Sequence, residues 1–190
     1  MARTTRLRGG ERWAAVALCV AFVGAAAAAD LYWSNTSGGV YNTGANWAGG
    51  VAPGATDTAN FNLGSASFLS IALGEACASQ AFRVHTDRVS FDLGGLAYAT
   101  SGDFQVGVAA GTSGVLALSN GTVTVGGNSY VAYPATGSTG SMTADGVVWD
   151  TTLDTMVGGR GTGALEVVNG SDLTMRNFYI AYAGFSPGTV

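Results

Sequence analysis

The chain has 190 residues, 30 of them glycine, and only 11% are charged, against a usual share of ~25%. Beyond residue 29 it carries four arginines (Arg83, Arg88, Arg160, Arg176), no lysine and eleven acids, a formal charge of −7. That balance argues against nucleic acid and anionic membrane as partners, since both demand clustered cations, and such sparse charge is foreign to a free-standing α/β enzyme.

Residues 1–12 hold Arg3, Arg6, Arg8 and Arg12 against the single acid Glu11. An apolar run occupies 13–23, then Gly24 and five alanines ending at Ala29. A positive flank, a short apolar stretch and a small-residue exit predict a secretory signal peptide over 1–29, cleaved before Asp30. The run falls short of the ~20 residues a membrane span needs, and Leu18 before Cys19 does not fit a lipoprotein site. The expected destination is the outer cell surface or the medium, with no membrane span in the mature chain. Only Cys77 survives cleavage, so no intrachain disulfide forms; the expectation is a small buried apolar side chain.

Residues 30–67 differ in character from the rest of the mature chain. Tyr32, Trp33, Tyr41 and Trp47 sit among Ser, Asn and Gly, ahead of Pro53-Gly54 and Asp57-Thr58-Ala59-Asn60-Phe61. Two readings stand. The rings either cap the open end of a repeat array, or they stand outward as a platform on which sugar rings stack. Their burial decides between the two.

From 68 the pattern becomes repetitive, weakly at first. Val89 and Phe91 alternate with Ser90 and Asp92; Phe82 and Val84 alternate with Arg83 and His85, which places Arg83 and His85 outward. From 104 three segments superimpose, anchored on Val106, Val131 and Val157, and a fourth opens at Ile180. The spacings are 25, 26 and 23 positions, a period of stacked supersecondary units. Within a unit the apolar period is two, as in Leu116/Leu118, Val123/Val125, Leu165/Val167 and Leu173/Met175, which predicts short strands with one buried face. Asn120-Gly121, Asp145-Gly146 and Asn169-Gly170 mark equivalent corners, where positive φ is needed. The predicted architecture is all-β: a right-handed parallel β-helix with about three short strands per 23–26-residue coil. Val106, Val131, Val157 and Ile180 then form one buried column. The coils run over 68–190, and the chain stops within a unit, as expected for the front end of a longer protein or a truncated product.

The segments quoted from Tyr32-Trp33 to Phe61, the run Gly161-Thr162-Gly163-Ala164-Leu165-Glu166-Val167-Val168-Asn169-Gly170-Ser171, and Trp149 ahead of Met156-Val157-Gly158 carry a resemblance. They are similar to bacterial exported β-helix repeat proteins: autotransporter passengers, autotransporter-associated β-strand repeats and PEP-CTERM-type surface proteins. The resemblance implies a surface or extracellular β-solenoid in adhesion, matrix or display, and implies no particular chemistry.

Parallel β-helices also host polysaccharide lyases and hydrolases, which need convergent carboxylates or a bound cation with a basic residue. The nearest constellation is Asp145, Asp150, Asp154 and Arg160. Turn geometry accounts for Asp145, a linker for Asp150 and Asp154, and a surface bend for Arg160. His85, the sole histidine, gives no zinc or dyad pattern and is expected to face solvent. Asn35, Asn120 and Asn169 match the Asn-x-Ser/Thr pattern but read as turn residues. No catalytic residue, cofactor or metal is expected. The reading is a structural or adhesive protein, with a carbohydrate-binding module through Tyr32, Trp33, Tyr41 and Trp47 as the alternative and a polysaccharide-active enzyme after it. Outward Ser119, Thr122, Thr124 and Thr174 would present a flat hydroxyl surface.

Overall fold

The computed structural model describes residues 27–133, 135–181 and 188–189. The predicted signal sequence lies outside the described residues up to 26, as does most of 182–190 in the fourth unit. Within them the chain winds as a β-solenoid of about six turns, all of its ladders parallel.

Each turn contributes to three faces. The first collects Asp30–Tyr32, Thr58–Phe61, Ala81–Val84, Phe104–Val106, Ser129–Val131 and then residues 155–157 and 177–180. The second runs from Gly39–Val40 through Phe68–Ala72, Arg88–Asp92, 113–119, 139–145 and Thr162–Val168 to Gly188–Thr189. The third stacks Cys77–Ser79, Ala97–Thr100, 122–125, 148–151 and 172–175.

Alternation along each strand sends every second side chain inward, and parallel register stacks like upon like. Phe61, Val84, Val106, Val131, Val157 and Ile180 form one unbroken column, the last four as the sequence period predicts. All but Ile180 are buried; Ile180, the last of the column among the described residues, is 46% exposed. Leu69, Val89, Leu116, Met142 and Leu165 stack beneath the second face, and Tyr98, Val123, Trp149 and Leu173 beneath the third. Burying each aliphatic side chain contributes roughly 1.5–3 kcal/mol, and most of that burial is against the neighbouring coil rather than within one.

The corners obey a finer rule than the sequence pattern suggests. Between the second and third faces the left-handed position is held by Asn120 (φ 56°), Gly146 (φ 62°) and Asn169 (φ 52°). Asp145 is therefore not the equivalent of Asn120 and Asn169. It sits one position earlier, in register with Ser119 and Val168. Asn replaces Gly here because its short polar side chain tolerates that conformation.

At the start of the solenoid, strand Asp30–Tyr32 already pairs in parallel with Thr58–Phe61. The segment between Val40 and Thr58 makes a short 3-10 turn, Gly44–Asn46, and folds back so that Trp47 bridges Trp33.

Candidate functional site

The four aromatic candidates do not form a platform. Trp33, Tyr41 and Trp47 are buried, and only Tyr32, 45% exposed, stands outward. Trp33 meets Trp47 edge-on at 5.2 Å and Phe61 at 5.8 Å, while Tyr41 stacks on Phe91 at 5.5 Å. Their polar atoms are satisfied inside: Trp33 Nε1 donates to Asn35 O at 2.6 Å, and Trp47 Nε1 to Tyr41 O at 2.7 Å. The Tyr41 and Tyr98 hydroxyls share a 2.9 Å bond. Burial pushes the Tyr98 phenol well above its ordinary range. The rings cover the open first coil, which would otherwise expose its core, and so three of the four proposed contact residues are corrected to a cap.

The acids do not converge either. Asp145 lies on the second face and accepts from Asn169 Nδ2 at 2.6 Å. Asp150 is exposed on the third. Asp154 turns the corner into the first, and Arg160 is exposed in a bend. Thr139–Val157 is one continuous strand through both corners, so no linker exists at Asp150 and Asp154. Asp154 is nearly buried and accepts from Arg176 Nε at 2.9 Å, Arg176 Nη2 at 3.0 Å and Asn177 Nδ2 at 2.9 Å. Hydrogen bonds from Arg176 and then Asn177 hold its carboxyl below the usual range. Among the described residues no three His, Cys, Asp or Glu side chains gather as a metal site, and no helix is long and apolar enough to cross a membrane. Cys77 is half-buried at the edge of the third face, and burial pushes its thiol up.

What the register does assemble is a sided exterior. The central outward row of the second face reads Ser70, Ser90, Ala117, Thr143, Glu166. That of the third reads Ala78, Ala99, Thr124, Asp150, Thr174. Both are dominated by small side chains, in line with the flat hydroxyl surface read from Thr122, Thr124, Ser119 and Thr174. The corresponding row of the first face reads Tyr32, Asn60, Arg83, Gln105, Tyr130, Met156, Tyr179, with Asn60 buried beneath its neighbours. No small residue occurs in that row. Seven positions at ~4.8 Å per coil make a stripe ~29 Å long.

The stripe has a polar half and an aromatic half. In the polar half, Asn60 Nδ2 donates to Asp30 Oδ1 at 3.3 Å and Arg83 Nη1 lies 3.7 Å from the same oxygen. Arg83 Nε donates to Gln105 Oε1 at 3.1 Å, and Gln105 Nε2 to Asp103 Oδ2 at 3.5 Å. His85 does point outward with Arg83, yet it is half-buried rather than solvated, its Nε2 3.1 Å from Asn60 Oδ1. Burial first, and then the Arg83 charge, lowers its pKa. In the aromatic half, Tyr130 and Tyr133 stack at 4.8 Å with planes 20° apart. The Tyr133 ring lies against Gly159, where a Cβ would stand 2.1 Å from a ring carbon. Partial burial, then the nearby charge of Asp103, raises the Tyr130 phenol pKa.

Asn120 and Asn169 serve as corner residues, and Asn35 Oδ1 accepts the Ser37 N–H at 2.9 Å within its own turn. No family model, curated protein or solved structure matches this chain.

Proposed function

We propose that this chain is an exported structural or adhesive β-solenoid of the cell surface or extracellular space, without intrinsic catalysis, which makes its contacts through the first face. The observation that carries the reading is the sidedness of the exterior. Large hydrogen-bonding and aromatic side chains recur coil after coil along the central row of the first face, while the central rows of the other two are mostly Ser, Thr and Ala. A periodic, shallow stripe suits extended, multivalent contact. Of its acids, Asp30 pairs with Arg83 and Asp154 with Arg176, while Asp103 accepts from Gln105 Nε2 and the Asn128 N–H, so they are spread along the stripe rather than gathered around one point. The positive flank, apolar run and alanine exit of residues 1–29 support export, and the resemblance to autotransporter and PEP-CTERM-type repeat proteins supports a surface role.

The test has two arms. Expressed in a Gram-negative host, the full chain should be recovered outside the cytoplasm with Asp30 as its N-terminal residue. Beads coated with the exported protein should then bind bacterial cells or their extracellular matrix. Arg83→Ala/Tyr130→Ala should weaken that adhesion, while Thr124→Ala/Thr143→Ala should leave it intact. Cytoplasmic retention, or adhesion indifferent to the first face, contradicts the reading.

A further inference from the structure

We propose that the aromatic half of the first face, centred on the Tyr130–Tyr133 pair, binds an uncharged polysaccharide lying along the coils. This rests on the reading of the first face as the contact surface and names what it contacts. Tyr offers an apolar ring for the C–H face of a pyranose together with a hydroxyl for hydrogen bonding. Here two such rings are held together at 4.8 Å. Tyr133 is seated on Gly159, a position where any side chain would displace it. Tyr130 is fixed between Gln105 and Met156 by strand register, and Tyr179 stands one coil beyond Met156. Rings held in this way lose little freedom on binding, which favours affinity.

Groups suited to sugar hydroxyls flank the pair. Gln105, the next residue of the row, keeps one Nε2 hydrogen and one Oε1 lone pair beyond its bonds to Asp103 and Arg83, whereas Asp154 is taken up by Arg176 and Asn177. Charge selects among glycans. Two of the nearby cations are engaged, Arg83 with Gln105 and Asp30 and Arg176 with Asp154, which leaves the exposed Arg160 next to Gly159 set against Asp103 and Asp154. The chain beyond residue 29 is acidic overall. A polyanionic glycan would meet net repulsion; a neutral one would not.

Affinity gel electrophoresis of the exported protein tests this, with xyloglucan, galactomannan and mixed-linkage β-glucan as neutral probes and polygalacturonate as the anionic one. Retardation by at least one neutral polysaccharide is expected. Tyr130→Ala or Tyr133→Ala should weaken it about 2- to 10-fold, the worth of one stacked ring, Tyr130→Phe, which keeps the ring, should weaken it less, and Thr143→Ala and Thr124→Ala should leave it unchanged. Far-UV circular dichroism and the thermal midpoint establish that each variant folds. Should the alanine variants fail to fold, nitration of Tyr130 and Tyr133 in the unaltered protein should be slowed by the neutral probe that retards it. Absence of retardation by every neutral probe, retardation by polygalacturonate alone, or equal retardation of the folded alanine variants overturns the inference. If cell adhesion still depends on Tyr130 while no neutral polysaccharide binds, the partner is a protein: the inference fails and the contact face stands. If adhesion ignores the first face, the underlying reading fails as well.

Discussion

Asn120 and Gly146 occupy the same corner of successive coils and both hold left-handed backbone, φ 56° and 62°. Chirality makes that conformation costly for most residues and worst for β-branched ones. Asn120→Val is expected to destabilise the fold by about 1–3 kcal/mol, and Asn120→Gly to change it little. Urea denaturation followed by circular dichroism measures both.

A second corner depends on close approach. Gly140 lies between Gly114 and Gly163 in register on the second face, and a Cβ there would stand 2.6 Å from Ala132 N and 2.7 Å from Val106 O. Both obstacles are backbone and cannot swing aside. Gly140→Ala should therefore cost more than a typical surface change, about 2 kcal/mol or above, and should lower the urea midpoint further than Gly137→Ala, where nothing lies within 4 Å of the added carbon but φ is +75°.

Two interior threonines should respond in opposite ways. Trp149 Nε1 donates to Thr151 Oγ1 at 2.8 Å, with Ser129 Oγ more distant at 3.3 Å. Thr155 Oγ1, equally buried, has no hydrogen-bond partner. Thr151→Val strips a buried donor of its better acceptor and should cost about 1–3 kcal/mol. Thr155→Val removes an unpaired hydroxyl from an apolar setting and should be neutral or stabilising. Equal destabilisation by both would contradict this account of the interior.

His85 gives a pH signature that is simple to assign, because it is the sole histidine. Burial and Arg83 lower its pKa against the opposing pull of Asp30 and Asp87, and Asn60 contacts its ring. Its NMR titration midpoint should lie below the ordinary 6.5. The neutral ring is the favoured folded form, so its contribution to stability is full above 6.5 and is lost as pH falls through the folded-state value. His85→Asn should flatten the stability profile in that window. A midpoint at or above 6.5 would mean that burial and Arg83 do not outweigh the attraction of Asp30 and Asp87.

The sequence is informative about the interior and nearly silent about the exterior. Val106, Val131, Val157 and Ile180 announce their column because interior positions tolerate few residue types, so the 25-, 26- and 23-residue offsets are visible by eye. Offsets elsewhere are less regular: Leu69 to Val89 is 20 residues and Val89 to Leu116 is 27, which is why coils before residue 104 look degenerate. The outward row of the first face keeps the same offsets, but Arg83, Gln105, Tyr130 and Met156 share no residue type. Only register brings them into line. Trp33 and Trp47 illustrate the opposite difficulty. Aromatic residues among Ser, Asn and Gly suit a sugar platform or an end cap equally well, and the decision lies in the fold-back of 41–57, which no local pattern encodes. Asp145 reads one position out of place because Asp-Gly and Asn-Gly look alike, while the left-handed residue is Asn in one coil and Gly in the next.

Coil-on-coil register underlies both the core and the contact face, and disulfide trapping reads it directly. In the chain from Asp30 onward, which lacks Cys19, with Cys77→Ser as background, Ser90→Cys/Ala117→Cys places thiols on residues paired across neighbouring coils despite 27 positions of separation. Paired Cα atoms ~5 Å apart fall within disulfide range, whereas a two-residue offset at ~7–8 Å does not. Mild oxidation should cross-link this pair intramolecularly and leave Ser90→Cys/Ser119→Cys largely free. Failure of the first pair, or equal trapping of both, would contradict the stacked-coil register.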